Sequence, residues 1–146
     1  MKSADRQYSL KTKVLASGVN FATAFFLWSF LEGCWGADGV IRSLGLLKIA
    51  SAGSLAFCIA GLLSLFWPTL GLMCGILAAG LSWPYLTTWF RWFPWGIVGG
   101  LPLFVDWPFS SQEVFDRITG SIYPTMLMMI ISTVDSVRRM RLRLLS

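Results

Sequence analysis

From Leu44 to Phe90 the chain carries a single charged residue, Lys48, and its apolar character is punctuated only by Trp67-Pro68. Each side of that dipeptide is long enough for a helix to cross about 30 Å of hydrocarbon, which takes roughly 20 residues. Proline ends one helix and can serve as an early residue of the next. The two runs, 44–66 and 69–90, are therefore expected to form an antiparallel helical hairpin, because no loop is present to arrange them otherwise.

Small residues supply that hairpin with a packing face. Ala52, Ala56, Ala60 and Ser64 recur at every fourth position on one side, and Gly71, Gly75 and Ala79 on the other. Folding the chain about Trp67-Pro68 sets Ser64 opposite Gly71, Ala60 opposite Gly75 and Ala56 opposite Ala79. Small side chains let backbones approach closely, which favours helix association where lipid removes the hydrophobic drive.

Two further runs flank the hairpin. The first, 14–31, is interrupted only by Asn20 and small hydroxyls. Ala22-Thr23-Ala24 resembles a small-x-small cleavage site, but Phe25, Phe26, Leu27 and Trp28 carry the apolar run past it, so a retained signal-anchor helix is expected. The last, 118–134, contains Pro124, which is expected to kink it. Beyond it, 135–146 reads as a basic amphipathic tail at the inner headgroups, with Val134, Val137, Met140 and Leu144 on one side. Asp135 stands three and four residues before Arg138 and Arg139, a spacing for local ion pairs.

The stretch 83–109 differs from the rest. It holds Trp83, Trp89, Trp92, Trp95 and Trp107 together with Pro84, Pro94, Pro102 and Pro108. Within it, 95–105 is apolar but too short to span and rich in glycine. Such a segment is expected to be interfacial or re-entrant, at the depth tryptophan prefers. The fold class that follows is an all-α integral membrane protein. One domain, 1–146, forms a four-helix transmembrane bundle with a tight central hairpin and an aromatic, Gly/Pro-rich segment at 94–109.

Composition agrees with this reading. Charged residues make up 13% of the chain, against about 25% in soluble domains. The net charge of +5 resides at the ends. Lys2, Arg6, Lys11 and Lys13 with Asp5 precede the first run, and Asp135 with Arg138, Arg139, Arg141 and Arg143 follows the last. Glu32, Asp38, Arg42 and Lys48 leave the first loop neutral. Arg91, Asp106, Glu113, Asp116 and Arg117 leave the third slightly acidic. The positive-inside rule then places both termini in the cytoplasm, most simply at a plasma (inner) membrane. The expected partners are the bilayer with its anionic cytoplasmic headgroups, and a membrane-protein partner or further copies of the chain; nucleic acid is not expected.

Chemical groups are sparse. There is no histidine, so imidazole catalysis and His-ligated metals or haem are excluded. Cys34, Cys58 and Cys74 form no CxxC pair, and no phosphate loop, nucleophile elbow or HExxH motif occurs. No catalytic residue, metal site or cofactor is expected. Asn20 is the strongest polar group at depth, about 9 Å into its span, and is expected to bond to a Ser or Thr of a neighbouring helix. Glu32, Lys48 and Arg91 lie at or near span ends, where a polar cluster for a headgroup, ion or partner loop is conceivable. The expectation is a small non-catalytic polytopic membrane protein, an accessory or assembly subunit or a helix-packing interaction protein. The rival is a small transporter, channel or lipid-handling protein with a re-entrant segment at 94–105.

Overall fold

The computed structural model describes residues 8–37, 44–99 and 112–145, with side chains described for 8–33, 45, 47–87 and 120–145. Four helices account for nearly all of these residues: α1 (Leu10–Ala37), α2 (Leu44–Phe66), α3 (Pro68–Gly99) and α4 (Gln112–Leu144). Among the described residues there is no strand. Three helices are long and apolar enough to cross a membrane, through Leu10–Gly33, Leu47–Phe66 and Pro68–Thr87. The run expected as a fourth span, 118–134, lies inside the 33 residues of α4, which is not one of those three.

Local chemistry sets the helix ends. Ser9 caps α1: its hydroxyl accepts from Thr12 N at 3.3 Å and its carbonyl accepts from Lys13 N at 3.1 Å. This supplies partners to first-turn donors that have none within the helix. Trp67 is the single residue between α2 and α3. Its N–H closes α2 on Leu63 O at 2.7 Å, and its carbonyl accepts the first α3 bond from Gly71 N at 2.9 Å. Pro68 occupies the first helical position, where no N–H is required. At the far end, α3 continues as helical backbone to Gly99. The segment expected to begin separately at 94 is thus continuous with α3 that far, and residues 100–109 lie outside the described residues.

The most extensive packing is between α2 and α3; α1 lies against α2 and α4, and α3 meets α4 along a shorter line. The hairpin face differs from the expected rows in a specific way. Ala52 is exposed, and Ala56 and Ala79 are only partly buried. An every-fourth-residue row drifts about 40° per step on a helix of 3.6 residues per turn, so Ala52 sits about 120° away from Ser64. The face that stays in contact alternates steps of four and three: Gly53, Phe57, Ala60 and Ser64 run opposite Ser82, Ala78, Gly75 and Gly71, and all are buried. A methyl built on Gly71 would lie 2.8 Å from Ser64 Cα, and one on Gly53 would overlap Ser82 Oγ.

The interior is divided along its length. The ends of α1 and α3 away from Ser9 and Pro68, with the first half of α2, hold a dense apolar cluster that includes Leu27, Phe30, Leu31, Leu47, Phe57, Tyr85 and Leu86. The Phe30 and Tyr85 rings meet at 6.4 Å, tilted by 54°. The opposite half, near the α2–α3 turn, is built from small and polar groups.

Candidate functional site

That polar half is organised by α4, whose amphipathicity is inverted relative to a soluble helix. Its buried positions are Ile122, Thr125, Met129, Ser132, Ser136 and Arg139, in steps of three and four. Its large apolar side chains, among them Leu127, Ile130, Val134 and Val137, face outward. Such a pattern suits a helix surrounded by lipid, whose tails would drive no apolar residue inward, whereas polar groups gain by meeting one another.

The inward polar groups tie helices together in a ladder. Thr125 Oγ1 lies 2.8 Å from Ser121 O of its own helix and 2.9 Å from Phe26 O of α1, and its one proton is shared between them. Thr23 Oγ1 donates to Val19 O at 2.7 Å and approaches Met128 O of α4 at 3.4 Å. Ser54 of α2 donates to Ala24 O of α1 at 3.1 Å, and Cys74 of α3 to Ala56 O of α2 at 3.3 Å. Trp83 Nε1 donates to Thr133 Oγ1 at 3.1 Å, joining α3 to α4.

Asn20 sits in the middle of this half with 1% of its surface exposed. Its Nδ2 donates to Ala16 O at 2.9 Å and, across to α2, to Ser64 Oγ at 3.4 Å. Its Oδ1 has no hydrogen-bond partner. That oxygen lies 3.4 Å from where a Gly75 methyl would stand; Ala60 Cβ and Ser136 Oγ are each 3.9 Å from the same point. All four helices therefore converge on the bare backbone of Gly75.

One turn nearer the α4 C-terminus, Arg139 is 4% exposed, with Nε 2.9 Å from Asp135 Oδ2. Both atoms lack a hydrogen bond of good alignment, so the contact is an ion pair by distance alone. Further on, Arg143 Nε donates to Tyr8 OH at 2.9 Å, Nη2 donates to Thr69 Oγ1, and the guanidinium stands 5.5 Å from the Tyr8 ring centre. Arg143 thereby joins the start of α1, the α2–α3 turn and the end of α4.

Of the residues singled out in the sequence, the structure brings Asn20, Ser64, Gly71, Gly75 and Ala60 together. It does not bring Glu32 or Lys48 to them. Both are exposed, and Glu32 lies twelve positions, about 18 Å, along α1 from Asn20. The Arg91 side chain lies outside the described residues. Within the tail expected at the inner headgroups, Arg139 is buried and Arg143 partly buried, while Arg138 and Arg141 are exposed. Sequence reading missed Thr23, Thr125, Ser136 and Arg139 as interior groups. Thr125, Ser136 and Arg139 share one face of α4, in alternating steps of three and four from Thr125 to Arg143 through Met129 and Ser132, but that spacing does not say that the face turns inward.

Chemically, this arrangement binds helices. Among the described residues no group of three metal-ligating side chains occurs. No protein-family model, no curated protein and no solved structure matches the chain.

Proposed function

We propose that the chain is a non-catalytic polytopic membrane protein whose four helices form a transmembrane bundle, acting by contact as an accessory or assembly subunit. The observation that carries this reading is how the interior polar groups are used. Among the described residues, Asn20, Thr23, Ser54, Cys74, Trp83, Thr125 and Arg143 each reach a group on another helix, so that all four helices are tied together by polar contacts. Meanwhile Phe25, Leu55, Met73 and Leu127 turn large apolar surface outward from all four helices. A fourth crossing by α4 is supported by that outward apolar face and by its packing against α1 and α3. The charge balance supports cytoplasmic termini at a plasma (inner) membrane, and the aromatic segment 94–109 then lies at the outer interface, interfacial or re-entrant.

Affinity purification from native membranes at endogenous expression, read by native mass, tests the functional reading. A stoichiometric foreign membrane protein is the expected result. A homogeneous self-oligomer, or a monomer with no partner, counts against an accessory subunit. The topology has its own test: Cys34 should react with an impermeant thiol reagent added outside, while Cys58 and Cys74 should not. Labelling of Cys34 only after the cells are opened would reverse the orientation.

One observation favours a second reading, a small transporter, channel or lipid-handling protein. Asn20 Oδ1 is a buried acceptor without a partner, facing Gly75. Such a group costs free energy unless something donates to it. In that reading Asn20 contacts a ligand and 94–105 forms a re-entrant gate. Loss of flux in Asn20→Ala with the fold intact is its signature.

A further inference from the structure

The four arginines of the α4 tail separate into two pairs, and among the described residues only one pair has protein partners. Arg139 meets Asp135, and Arg143 meets Tyr8 and Thr69. Arg138 and Arg141 are exposed and help to line a shallow, open groove of about 400 Å³ formed by side chains of α4 and Leu145 alone. Its floor is apolar: Val134, Val137, Leu142 and Leu145 line it.

Depth can be read from the Arg143–Thr69 bond. Thr69 stands at the turn where two apolar spans end, so Arg143 marks the membrane edge on that side. Arg141 and Arg138 lie two and five residues inward, about 3 and 8 Å along the axis. Val137 and Val134 lie deeper still. From positions 138 and 141 the long arginine side chains can snorkel outward to headgroup depth while Val134 and Val137 stay at acyl depth, which matches an anionic amphiphile in charge and order. Leu142 and Leu145 lie on the outer side of both arginines. The one-turn spacing of Arg138 and Arg141 lets two guanidinium forks converge on one phosphate, a geometry arginine favours.

We propose that this groove binds one anionic phospholipid, its phosphate held by Arg138 and Arg141 and an acyl chain laid along Val134 and Val137. The site deepens the lipid contact expected of the basic tail into a defined place, and it rests on the reading that α4 lies in the bilayer. The occupant differs from a general ion cloud because the neighbouring Arg139 and Arg143 are turned away from it.

The test is titration of phosphatidylglycerol into the full chain in a neutral, uncharged detergent micelle, with bound lipid counted by native mass. Phosphatidylcholine serves as the neutral comparison. One phosphatidylglycerol should bind in preference to phosphatidylcholine. The double variant R138Q/R141Q should weaken it by about thirtyfold, the loss of roughly 1 kcal/mol for each of the two basic residues. K11Q/K13Q removes equal charge from the α1 end and should leave the affinity unchanged. Val137→Trp, which fills the groove with both arginines intact, should also weaken binding. Equal losses in the two charge variants, or no loss in either, overturn the site. An environment-sensitive probe on Val134→Cys in phosphatidylcholine vesicles separates the underlying reading. A water-like signal removes α4 from the bilayer and the site with it; a lipid-like signal with unaltered binding in R138Q/R141Q overturns the groove alone.

Discussion

Substituting Gly71 by alanine isolates the close approach of α2 and α3 with a single methyl. That methyl would stand 2.6 Å from Ser64 N and 2.8 Å from Ser64 Cα. Carbon contacts settle near 3.5–4.0 Å, so the backbones must part by about 1 Å. Rotating Ser64 Oγ, itself 2.5 Å away, does not relieve this, since Ser64 N and Cα are main chain. The site is four residues from Trp67, the only residue between the helices, so the turn offers little slack. A gap of 0.5–1 Å forfeits about a quarter to a half of each contact along the seam. Overpacking of this kind costs about 1–3 kcal/mol, offset by up to about 1 kcal/mol from replacing glycine within a helix. A net loss of about 1–2 kcal/mol is therefore expected. Gly80→Ala is the matched control, since nothing lies within 4 Å of its methyl position. Thermal unfolding in detergent, followed by tryptophan fluorescence, should show Gly71→Ala clearly below the parent and Gly80→Ala at or above it. Equal midpoints for the two variants would refute the close-packed seam.

Gly75→Leu places a branched side chain where Asn20 Oδ1, Ala60 Cβ and Ser136 Oγ converge; it should lower folded yield, and normal yield with parental protease resistance would argue against convergence at Gly75. Asp135→Asn removes the charge facing Arg139 and should cost up to about 3 kcal/mol, while joint replacement of both by leucine and methionine should recover most of it. If the double variant is no better than the single one, the pair is not the source of the loss. Arg143→Gln should free the start of α1 from Tyr8 and Thr69, seen as faster proteolysis ahead of Ser9 at an unchanged melting midpoint. An unchanged cleavage rate would show that Arg143 does not hold the N-terminal segment.

The polar half explains how a chain so apolar can still select one arrangement of its helices. Leucine against lipid and leucine against leucine differ little in free energy, so outward and inward apolar faces are nearly equivalent. Orientation must come from groups that lipid cannot satisfy. Thr23, Asn20, Ser54, Thr125 and Trp83 each offer a donor that finds an acceptor on another helix. Bonds of this class contribute about 0.6 kcal/mol each on average. Each also has one geometrical solution, whereas apolar contact has many.

Run lengths and breakers were enough to read an all-helical chain with three apolar spans and the reversal at Trp67, but not that α3 continues to Gly99. Length and hydropathy alone mark the three apolar spans, and a proline after an uninterrupted run admits only a reversal at Trp67. The pairing of Ser64 with Gly71 and Ala60 with Gly75 was legible for the same reason, because a one-residue turn leaves no freedom of register. Rotation was not legible. The rows through Ala52 and Ala79 ignored the drift of the helical period, and only packing against α3 shows that Gly53 and Phe57 take the inner positions. Nor could the order of residues say which face of α4 turns inward, since a stripe of valines and a stripe of arginines can each face either way at a membrane edge. Tertiary contact decided it: Ser136 faces Gly75, and Arg143 reaches Tyr8 and Thr69, while the valines take the outer side.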